Sequence, residues 1–251
     1  MSPAYAYAAI AFAPGLAVGS FLNVVASRLP LGRSVARPRS ACMHCGAEIR
    51  SRDNVPLLSY LLLRGRCRDC GTPIGRRYPA VELATALLAV ACVAAFGLSL
   101  RALAAVVFCA ALVTISATDL ERRIVPNRVV LPAAAVVLAL QLAWRPSIEW
   151  PAAGLGAALF LFLVALAYPR GMGMGDVKLT LLLGVAVGRS VPVALMVGMV
   201  TALIPSAVLF ARHGAAARKL AIPFAPFLAI GGVVALFAGT GIVHWYVSTF
   251  L

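Results

Sequence analysis

Residues 171–188 read GMGMGDVKLTLLLGVAVG, a glycine-rich run with one carboxylate and one ammonium ahead of an apolar segment. The charge-free stretch between Lys178 and Arg189 covers about 15 Å of helix at ~1.5 Å per residue, half of a ~30 Å hydrocarbon core. A membrane span therefore has to begin near Gly171, which puts Asp176 at membrane depth. A charged side chain costs roughly 3 kcal/mol there, so Asp176 is a functional candidate. The alternative is a cytosolic turn in which Asp176 only caps a helix.

The composition of the whole chain is that of a polytopic helical membrane protein. Of its 251 residues, 62% are hydrophobic and 12% are charged, which is untypical of a soluble domain. Most charge-free runs are near the ~17–25 residues that cross a bilayer as a helix, and the alternation of a β-barrel is not seen. The sequence predicts an all-α protein with about eight transmembrane helices, in the runs 1–27, 83–100, 102–118, 129–144, 150–169, 179–188, 190–211 and 220–251.

The positions of the basic residues predict how these helices are oriented. The net charge is +14, and the basic residues lie in the segments 28–79, 121–128, 170–178 and 212–219, which alternate with the spans. Only Arg101, Arg145 and Arg189 fall on the other side. By the positive-inside rule the four segments face the cytosol and the N-terminus is outside. The charge then reflects topology, so the lipid bilayer is an expected partner and nucleic acid is not.

Three parts follow from these spans. Residues 1–27 form a first transmembrane helix that is expected to be retained as an anchor, 28–79 form a small cytosolic insert, and 80–251 form a transmembrane domain. The insert contains the apolar run 57–63, which is too short to span a membrane. This run is either the core of the insert or a patch at the membrane interface.

The insert carries two C-x-x-C-G knuckles. Their thiols belong to Cys42, Cys45, Cys67 and Cys70. This is the spacing of a four-thiolate zinc site, and the glycine after each second cysteine permits a tight turn. Two disulfides are the alternative, but disulfides are rare in the reducing cytosol. The pattern predicts a closed, structural zinc site.

Two carboxylates are predicted at the same membrane boundary. Asp119 ends a helix that runs towards the cytosol, and Asp176 begins one that leaves it. Carboxyl groups that share a proton have split pKa values, so that one serves as general base for water and the other as general acid. Gly173 and Gly175 leave room for a substrate backbone beside Asp176. Alternatively, Asp119 is a helix end paired with a following arginine, or both carboxylates form the proton relay of a transporter.

Two further polar residues lie near the cytosolic ends of the first two spans. Asn23 alone is typical of a hydrogen bond between membrane helices. Glu82 lies near the start of an inward-going helix, where a carboxylate is favourable. Binding of a positive group by Glu82 is the alternative.

Several stretches together resemble the type IV prepilin peptidases, the bifunctional leader peptidase/N-methyltransferases. Gly173–Lys178 matches the family's G-x-G-D-x-K motif, and Asp119 with Ile124–Asn127 is similar to its first catalytic motif. The paired cysteine knuckles match as well. Further matching stretches are 19–25 with 28–30, 77–79 with 81–82, and 222–227, in which Ala225 stands where glycine is common.

This resemblance implies a GxGD-type aspartic endopeptidase of the bacterial inner membrane that cleaves leaders from prepilins and pseudopilins at the cytosolic face. Asp119 and Asp176 would be its catalytic residues, and Lys178 would line the substrate approach with the two glycines. Family members also methylate the new N-terminus with S-adenosylmethionine, for which Glu82 and Asn23 are the candidates. A GxGD protease of other membrane proteins, a proton-coupled transporter and a non-catalytic zinc scaffold are the alternatives.

Overall fold

The computed structural model describes residues 7, 9–168, 173–214 and 222–250. Within these residues the chain is almost entirely helical, and its β-structure is limited to two isolated bridges, Ala41 with Glu48 and Arg66 with Pro73. The all-α fold class predicted from the sequence is confirmed. Gly171, where the predicted sixth span was expected to begin, lies outside the described residues.

In the described ranges, nine α-helices have defined bounds. They are α1 (Phe12–Arg28), α2 (Leu58–Leu62), α3 (Arg77–Phe96), α4 (Leu100–Arg122), α5 (Asn127–Trp144), α6 (Glu149–Ala167), α7 (Met174–Val187), α8 (Val191–His213) and α9 (Ala225–Phe250). Short 3-10 turns lie between some of them, at Leu29–Leu31, Ser51–Asp53 and Gly188–Ser190.

Seven segments of the described chain are long and apolar enough to cross a membrane. One of them, Met174–His213, has 40 residues and contains both α7 and α8. Helix α7 alone has 14 residues, about 21 Å at ~1.5 Å per residue, which is shorter than a ~30 Å core. The predicted multi-pass fold is confirmed, while the predicted sixth and seventh spans form one apolar segment interrupted by a turn.

The start of α7 tests the interpretation of Asp176 as a helix cap. Gly173 has an extended backbone (φ −83°, ψ 146°) and is the N-cap of a helix whose first residue is Met174. Asp176 therefore lies inside the first turn and is not the cap, so the cap-only interpretation of Asp176 is wrong.

The chain divides into two compact units, Met1–Ala102 and Leu103–Leu251. In the first unit α1 packs along α3. A Cβ on Gly19 would lie 2.7 Å from Cα of Glu82, and a Cβ on Gly15 would lie 2.7 Å from Cα of Ala86. Because glycine occupies both positions, the two helix backbones touch, as is common where transmembrane helices associate.

In the second unit α6 packs on α7, and α8 packs on α9. A Cβ on Gly184 would lie 2.6 Å from Cα of Gly154, and a Cβ on Gly231 would meet the carbonyl oxygen of Ala194. These glycines bring the paired backbones into contact. The contact on Gly184 fixes α7 against α6 and thereby positions the helix whose first turn carries Asp176.

Large apolar side chains cover the outside of the helices. On α6 the exposed ones are Leu155, Leu159, Phe160, Phe162, Leu163, Val164 and Leu166. A contiguous apolar surface of this kind is unusual on a protein surrounded by water and is typical of contact with a membrane. The high hydrophobic content of the chain therefore comes from side chains on the outside of the helices as well as from those in the core.

Candidate active site

Asp119 lies at the C-terminal end of α4 and is almost fully buried, with 6% of its surface exposed. Its Oδ2 accepts a hydrogen bond of 3.0 Å from the backbone N–H of Ala225, the first residue of α9. The first N–H groups of a helix have no partner within the helix and carry partial positive charge, so a carboxylate is favourable there. Arg123 is within electrostatic range of the same carboxylate. Asp119 is therefore held by the start of the last helix and not by a neighbouring arginine alone.

Asp176 is half-buried in the first turn of α7. Its backbone N–H donates to the carbonyl oxygen of Gly173 at 3.1 Å, and its own carbonyl accepts a hydrogen bond of 2.8 Å from the Thr180 hydroxyl. The carboxylate is within electrostatic range of Asp119, so negative charges on both would repel each other. The two aspartates predicted to share a membrane boundary are thus neighbours.

Two contacts join the segment that follows Asp119 to the start of α7. Gly175 faces Val125, since a Cβ on Gly175 would lie 2.9 Å from Cβ of Val125. Lys178 Nζ donates a hydrogen bond of 2.9 Å to Oδ1 of Asn127. These contacts bring the two aspartate-containing motifs together, and they give Gly175 and Lys178 structural partners that the sequence did not indicate.

Gly173 differs from Gly175 in its surroundings. It is exposed, and a Cβ on it would meet Oδ2 of Asp176 at 3.7 Å, an ordinary van der Waals distance. Among the residues that the structure describes, no close backbone packing requires glycine at 173. The absence of a side chain leaves this side of the Asp176 carboxylate accessible.

In the first unit, Asn23 and Glu82 are both buried, with 3% and 8% exposed. Oε2 of Glu82 accepts a hydrogen bond of 2.7 Å from the backbone N–H of Leu57, which ties the insert to the second turn of α3. Nδ2 of Asn23 donates to the carbonyl oxygen of Tyr78 at 3.0 Å and so links α1 to α3. Among the described residues, no group donates a hydrogen bond to Oδ1 of Asn23. Asn23 thus makes the helix-to-helix bond expected of it and keeps one acceptor unused.

The four cysteines of the insert form one cluster. The Sγ atoms of Cys42, Cys45, Cys67 and Cys70 all lie within 4.8 Å of one another. Two of them, on Cys42 and Cys70, are 3.8 Å apart, and ligand sulfurs around a tetrahedral ion with ~2.3 Å bonds are also about 3.8 Å apart. None of these four cysteines forms a disulfide. The predicted cluster is confirmed, and the four thiols can hold a metal ion.

The two knuckles have the same backbone hydrogen bonds. In each, the first cysteine (Cys42 or Cys67) donates to the carbonyl five residues later, and the glycine donates back to that cysteine, with N···O distances of 2.8, 2.9 and 3.0 Å. Gly46 and Gly71 have φ of +73° and +70°, a conformation that favours glycine. The tight turns predicted from the C-x-x-C-G pattern are confirmed.

The thiols of the cluster differ in their acidity. The hydroxyl of Thr72 lowers the pKa of Cys70 to about 6, and backbone hydrogen bonds, chiefly that of Cys45, lower the pKa of Cys42. At Cys45 a backbone hydrogen bond at Ala47 lowers the pKa, but the other three cysteines and burial outweigh it and raise the pKa to about 11. Ionised thiols this close repel one another, and a bound cation removes that repulsion.

An ion pair fixes the second knuckle to the preceding 3-10 turn. Nε of Arg68 donates to Oδ2 of Asp53 at 2.8 Å. This hydrogen bond, together with the positive charge of Arg68, holds the pKa of Asp53 below its usual range. The insert thus has a cross-link in addition to the cysteine cluster.

Comparison with known proteins gives matches along most of the chain. Residues 14–96 match the Bacterial Peptidase A24 N-terminal domain, and residues 106–210 match the Type IV leader peptidase family. A prepilin leader peptidase/N-methyltransferase of Burkholderia pseudomallei (strain 1026b) is 39% identical over 92% of this chain and 85% of its own length. The chain belongs to the type IV leader peptidase family.

Two further relatives in the leader peptidase family carry the same name. The one from Bacillus subtilis (strain 168) is 34% identical over 95% of this chain and 97% of its own length. The one from Aeromonas hydrophila is 34% identical over 98% of this chain and 95% of its own length. No solved structure matches the chain. The resemblance seen in the motifs is confirmed, which favours a peptidase over a transporter or a scaffold.

Four partners of the candidate residues were not predicted from the sequence. Three of them, Ala225, Val125 and Asn127, lie within stretches that resemble the leader peptidases, so their positions were noted but their contacts were not. Nothing in the sequence singles out Leu57, because its contact with Glu82 is made by a backbone N–H.

Proposed function

We propose that this leader peptidase family member is a membrane-embedded aspartic endopeptidase with Asp119 and Asp176 as its catalytic residues. Its substrates would be type IV prepilins or pseudopilins, from which it removes the leader. The observation that carries the proposal is the pair of carboxylates within electrostatic range of each other. The relatives named prepilin leader peptidase/N-methyltransferase support the substrate class.

The two carboxyl groups divide the work of peptide hydrolysis. The ionised one removes a proton from a water molecule, whose oxygen attacks the scissile carbonyl carbon, while the protonated one donates its proton to the carbonyl oxygen. In the collapse of the tetrahedral intermediate the C–N bond breaks, and the leaving nitrogen receives the proton taken from water. Repulsion between two negative charges at Asp119 and Asp176 favours a pair that shares one proton, which is the state this mechanism requires.

Gly173, Gly175 and Lys178 are proposed to shape the approach of the substrate to Asp176. Gly173 is suited to direct approach, because it is exposed and bears no side chain beside Oδ2 of Asp176. Gly175 and Lys178 contact Val125 and Asn127. Their contribution is to hold the two aspartate motifs at a fixed separation while the substrate binds.

The proposed setting is the bacterial inner membrane, with the N-terminus outside and the active site at the cytosolic face. The insert of residues 28–79 then lies in the cytosol, and the peptidase chemistry lies within 80–251. The alternation of basic segments with apolar spans supports this orientation. The free thiols of the four cysteines in the insert fit a reducing compartment.

The metal held by the cysteine cluster is proposed to be zinc. A set of four thiolates with tetrahedral spacing is the donor set of structural zinc sites. The ion would cross-link the two knuckles of the insert. With four protein ligands it has no open position, so its role is to stabilise the insert and not to activate water.

The methylation named for the relatives is proposed for this chain as well, with Asn23 and Glu82 as the candidate residues. S-adenosylmethionine supplies an electrophilic methyl group to an amine nitrogen. The unused, buried Oδ1 of Asn23 fits an N–H donor, and the buried Glu82 carboxylate fits a positively charged group. These side chains would orient the donor or the amine, while the aspartates carry out the cleavage.

A cleavage assay tests the peptidase proposal. Purified protein in nanodiscs is given a prepilin, and Asp119→Asn and Asp176→Asn are each expected to lower kcat by roughly 10²–10⁴-fold. Glu149→Gln is the matched control, because this carboxylate of the same unit is paired with Arg189 and not with either aspartate. Full cleavage by either Asn variant would refute the catalytic pair. Adding S-adenosylmethionine and following the mass of the product separates methylation from cleavage.

A further inference from the structure

The short helix α2 carries an apolar face that the insert does not bury. Leu58, Leu61 and Leu62 expose 52%, 63% and 72% of their surface. Their spacing of i, i+3 and i+4 puts all three on one side of the helix. Val55, just ahead of the helix, is 43% exposed as well. The run 57–63 was expected to be either the core of the insert or a patch at the membrane interface. Because these leucines are exposed, they do not form the core of the insert.

The opposite side of α2 is fixed to the insert. Ser59 is 6% exposed, its hydroxyl donates to the carbonyl oxygen of Arg52 at 3.1 Å, and it accepts from the N–H of Val55 at 3.0 Å. Tyr60 lies against Gly65, where a Cβ would be 2.9 Å from the phenol oxygen. The leucines cannot turn inward without breaking these contacts, so their exposure is built into the insert.

A hydrogen bond sets the position of α2 along a membrane span. Leu57, immediately before α2, donates its N–H to Glu82 at 2.7 Å. Glu82 is about 7.5 Å from the start of α3, and the 20 residues of α3 cover about 30 Å, the thickness of a hydrocarbon core. The residue that precedes α2 thus lies beside the second turn of a segment long enough to span the membrane, near the end of that segment that begins at Arg77.

Exposed arginines border this apolar face. Arg64 and Arg66 follow α2, and Arg52 precedes it; all three are exposed. Arginine next to large apolar side chains is typical of segments that lie in a membrane interface, and anionic headgroups attract the charge. Three leucines offer much less than the roughly 800 Å² per partner of a stable protein–protein interface, which favours lipid over a second copy of the chain.

We propose that α2 is a membrane-docking helix, whose residues Leu58, Leu61 and Leu62 insert into the interfacial region of the bilayer beside α3. The cysteine-containing insert then lies on the membrane surface instead of projecting into the cytosol. This docking is inferred from contacts within the first unit alone, so it does not depend on which residues catalyse cleavage.

Tryptophan placed on the helix tests this docking. Leu61→Trp and Leu62→Trp are made in the full-length protein and reconstituted in phosphatidylglycerol vesicles containing phosphatidylcholine with brominated acyl chains. Met43→Trp is the matched control, at a position of the first knuckle that is 94% exposed. The unsubstituted protein gives the background of the three native tryptophans. The added emission of Leu61→Trp and Leu62→Trp is expected to be blue-shifted and largely quenched by the brominated lipid, whereas that of Met43→Trp is quenched by acrylamide in the water.

Two outcomes would overturn the proposal. Emission at the wavelength of Met43→Trp, with equal quenching by acrylamide, would mean that the leucine face is in water. Blue-shifted emission that brominated lipid does not quench would mean that protein covers the face. Melting temperatures equal to that of the unsubstituted protein verify the fold, and Leu58→Trp replaces any variant that fails this check.

Discussion

Replacing Ala225 with proline removes the N–H that donates to Asp119 and changes little else in the local backbone. Ala225 is the first residue of α9, a position that proline suits because its N–H has no partner within the helix. Hydrogen bonds to charged groups contribute about 1.5–3 kcal/mol. If this bond orients Asp119 in the transition state, its loss is expected to lower kcat by about 10- to 150-fold, at ~1.36 kcal/mol per factor of ten.

The assay is cleavage of a prepilin at several substrate concentrations, so that kcat and KM are obtained separately. Ala225→Gly is the control, because glycine keeps the N–H and differs from alanine by one methyl group. A positioning role predicts that Ala225→Pro lowers kcat with KM nearly unchanged, while Ala225→Gly retains activity. Melting temperatures in nanodiscs verify that both variants are folded.

Cleavage by folded Ala225→Pro as fast as by Ala225→Gly would contradict a positioning role of this N–H. Such a result would mean that the N–H is dispensable for Asp119, whether or not Asp119 is catalytic. If Asp119→Asn is inactive in the same preparation, only the positioning role is refuted and the carboxylate pair stands.

Four further changes give measurable outcomes. Gly175→Ala puts a Cβ 2.9 Å from that of Val125 and is expected to destabilise the protein by about 1–3 kcal/mol; a thermal melt should show partial rescue by Val125→Ala. Glu82→Ala leaves the N–H at the start of α2 without its acceptor, at a cost of about 1–3 kcal/mol, and should make the insert more sensitive to protease than Glu82→Gln does. Cys67→Ser is expected to lose about one equivalent of zinc per chain, measured by elemental mass spectrometry, and chelation should mimic it; unchanged metal content would contradict the four-thiol site. The pKa of Asp53 is lowered in the folded insert. Its ion pair with Arg68 therefore stabilises the folded insert fully above pH ~3.9, and this stabilisation is lost as the pH falls through the pKa that Asp53 has in the folded state. When proteolysis of the insert is followed over a range of pH, the unsubstituted protein should become more sensitive to protease as the pH falls. Asp53→Asn should show a smaller change.

The parts of the structure that depend on local pattern could be predicted from the sequence. Apolar runs of helical length identified the membrane helices, because in hydrocarbon only a helix satisfies its own backbone. The C-x-x-C-G pattern identified both the cysteine cluster and the left-handed glycines Gly46 and Gly71, since the spacing and the turn are set within five residues. The alternation of spans and basic loops predicted that Asp119 and Asp176 share a membrane boundary, and in the structure the two carboxylates are within electrostatic range of each other.

The parts that depend on long-range backbone contacts could not be predicted. The partners of Asp119 and Glu82 are backbone N–H groups, at Ala225 and Leu57, and every residue except proline carries such a group. The cap of α7 could not be identified either, because Asp176 was one candidate for it, whereas the extended backbone of Gly173 occupies the N-cap position. Contact between Gly175 and Val125 was also missed, as glycine next to an active-site acid was interpreted only as space for substrate.

The bond between Asp119 and Ala225 joins residues 106 positions apart, which has a consequence for biogenesis. Asp119 enters the membrane with α4, long before the ribosome has translated α9. During that interval the carboxylate lacks its backbone donor, and a chain that stops before Ala225 never acquires it. Formation of this hydrogen bond therefore coincides with the integration of α9, so the proposed site is assembled only after α9 has been synthesised.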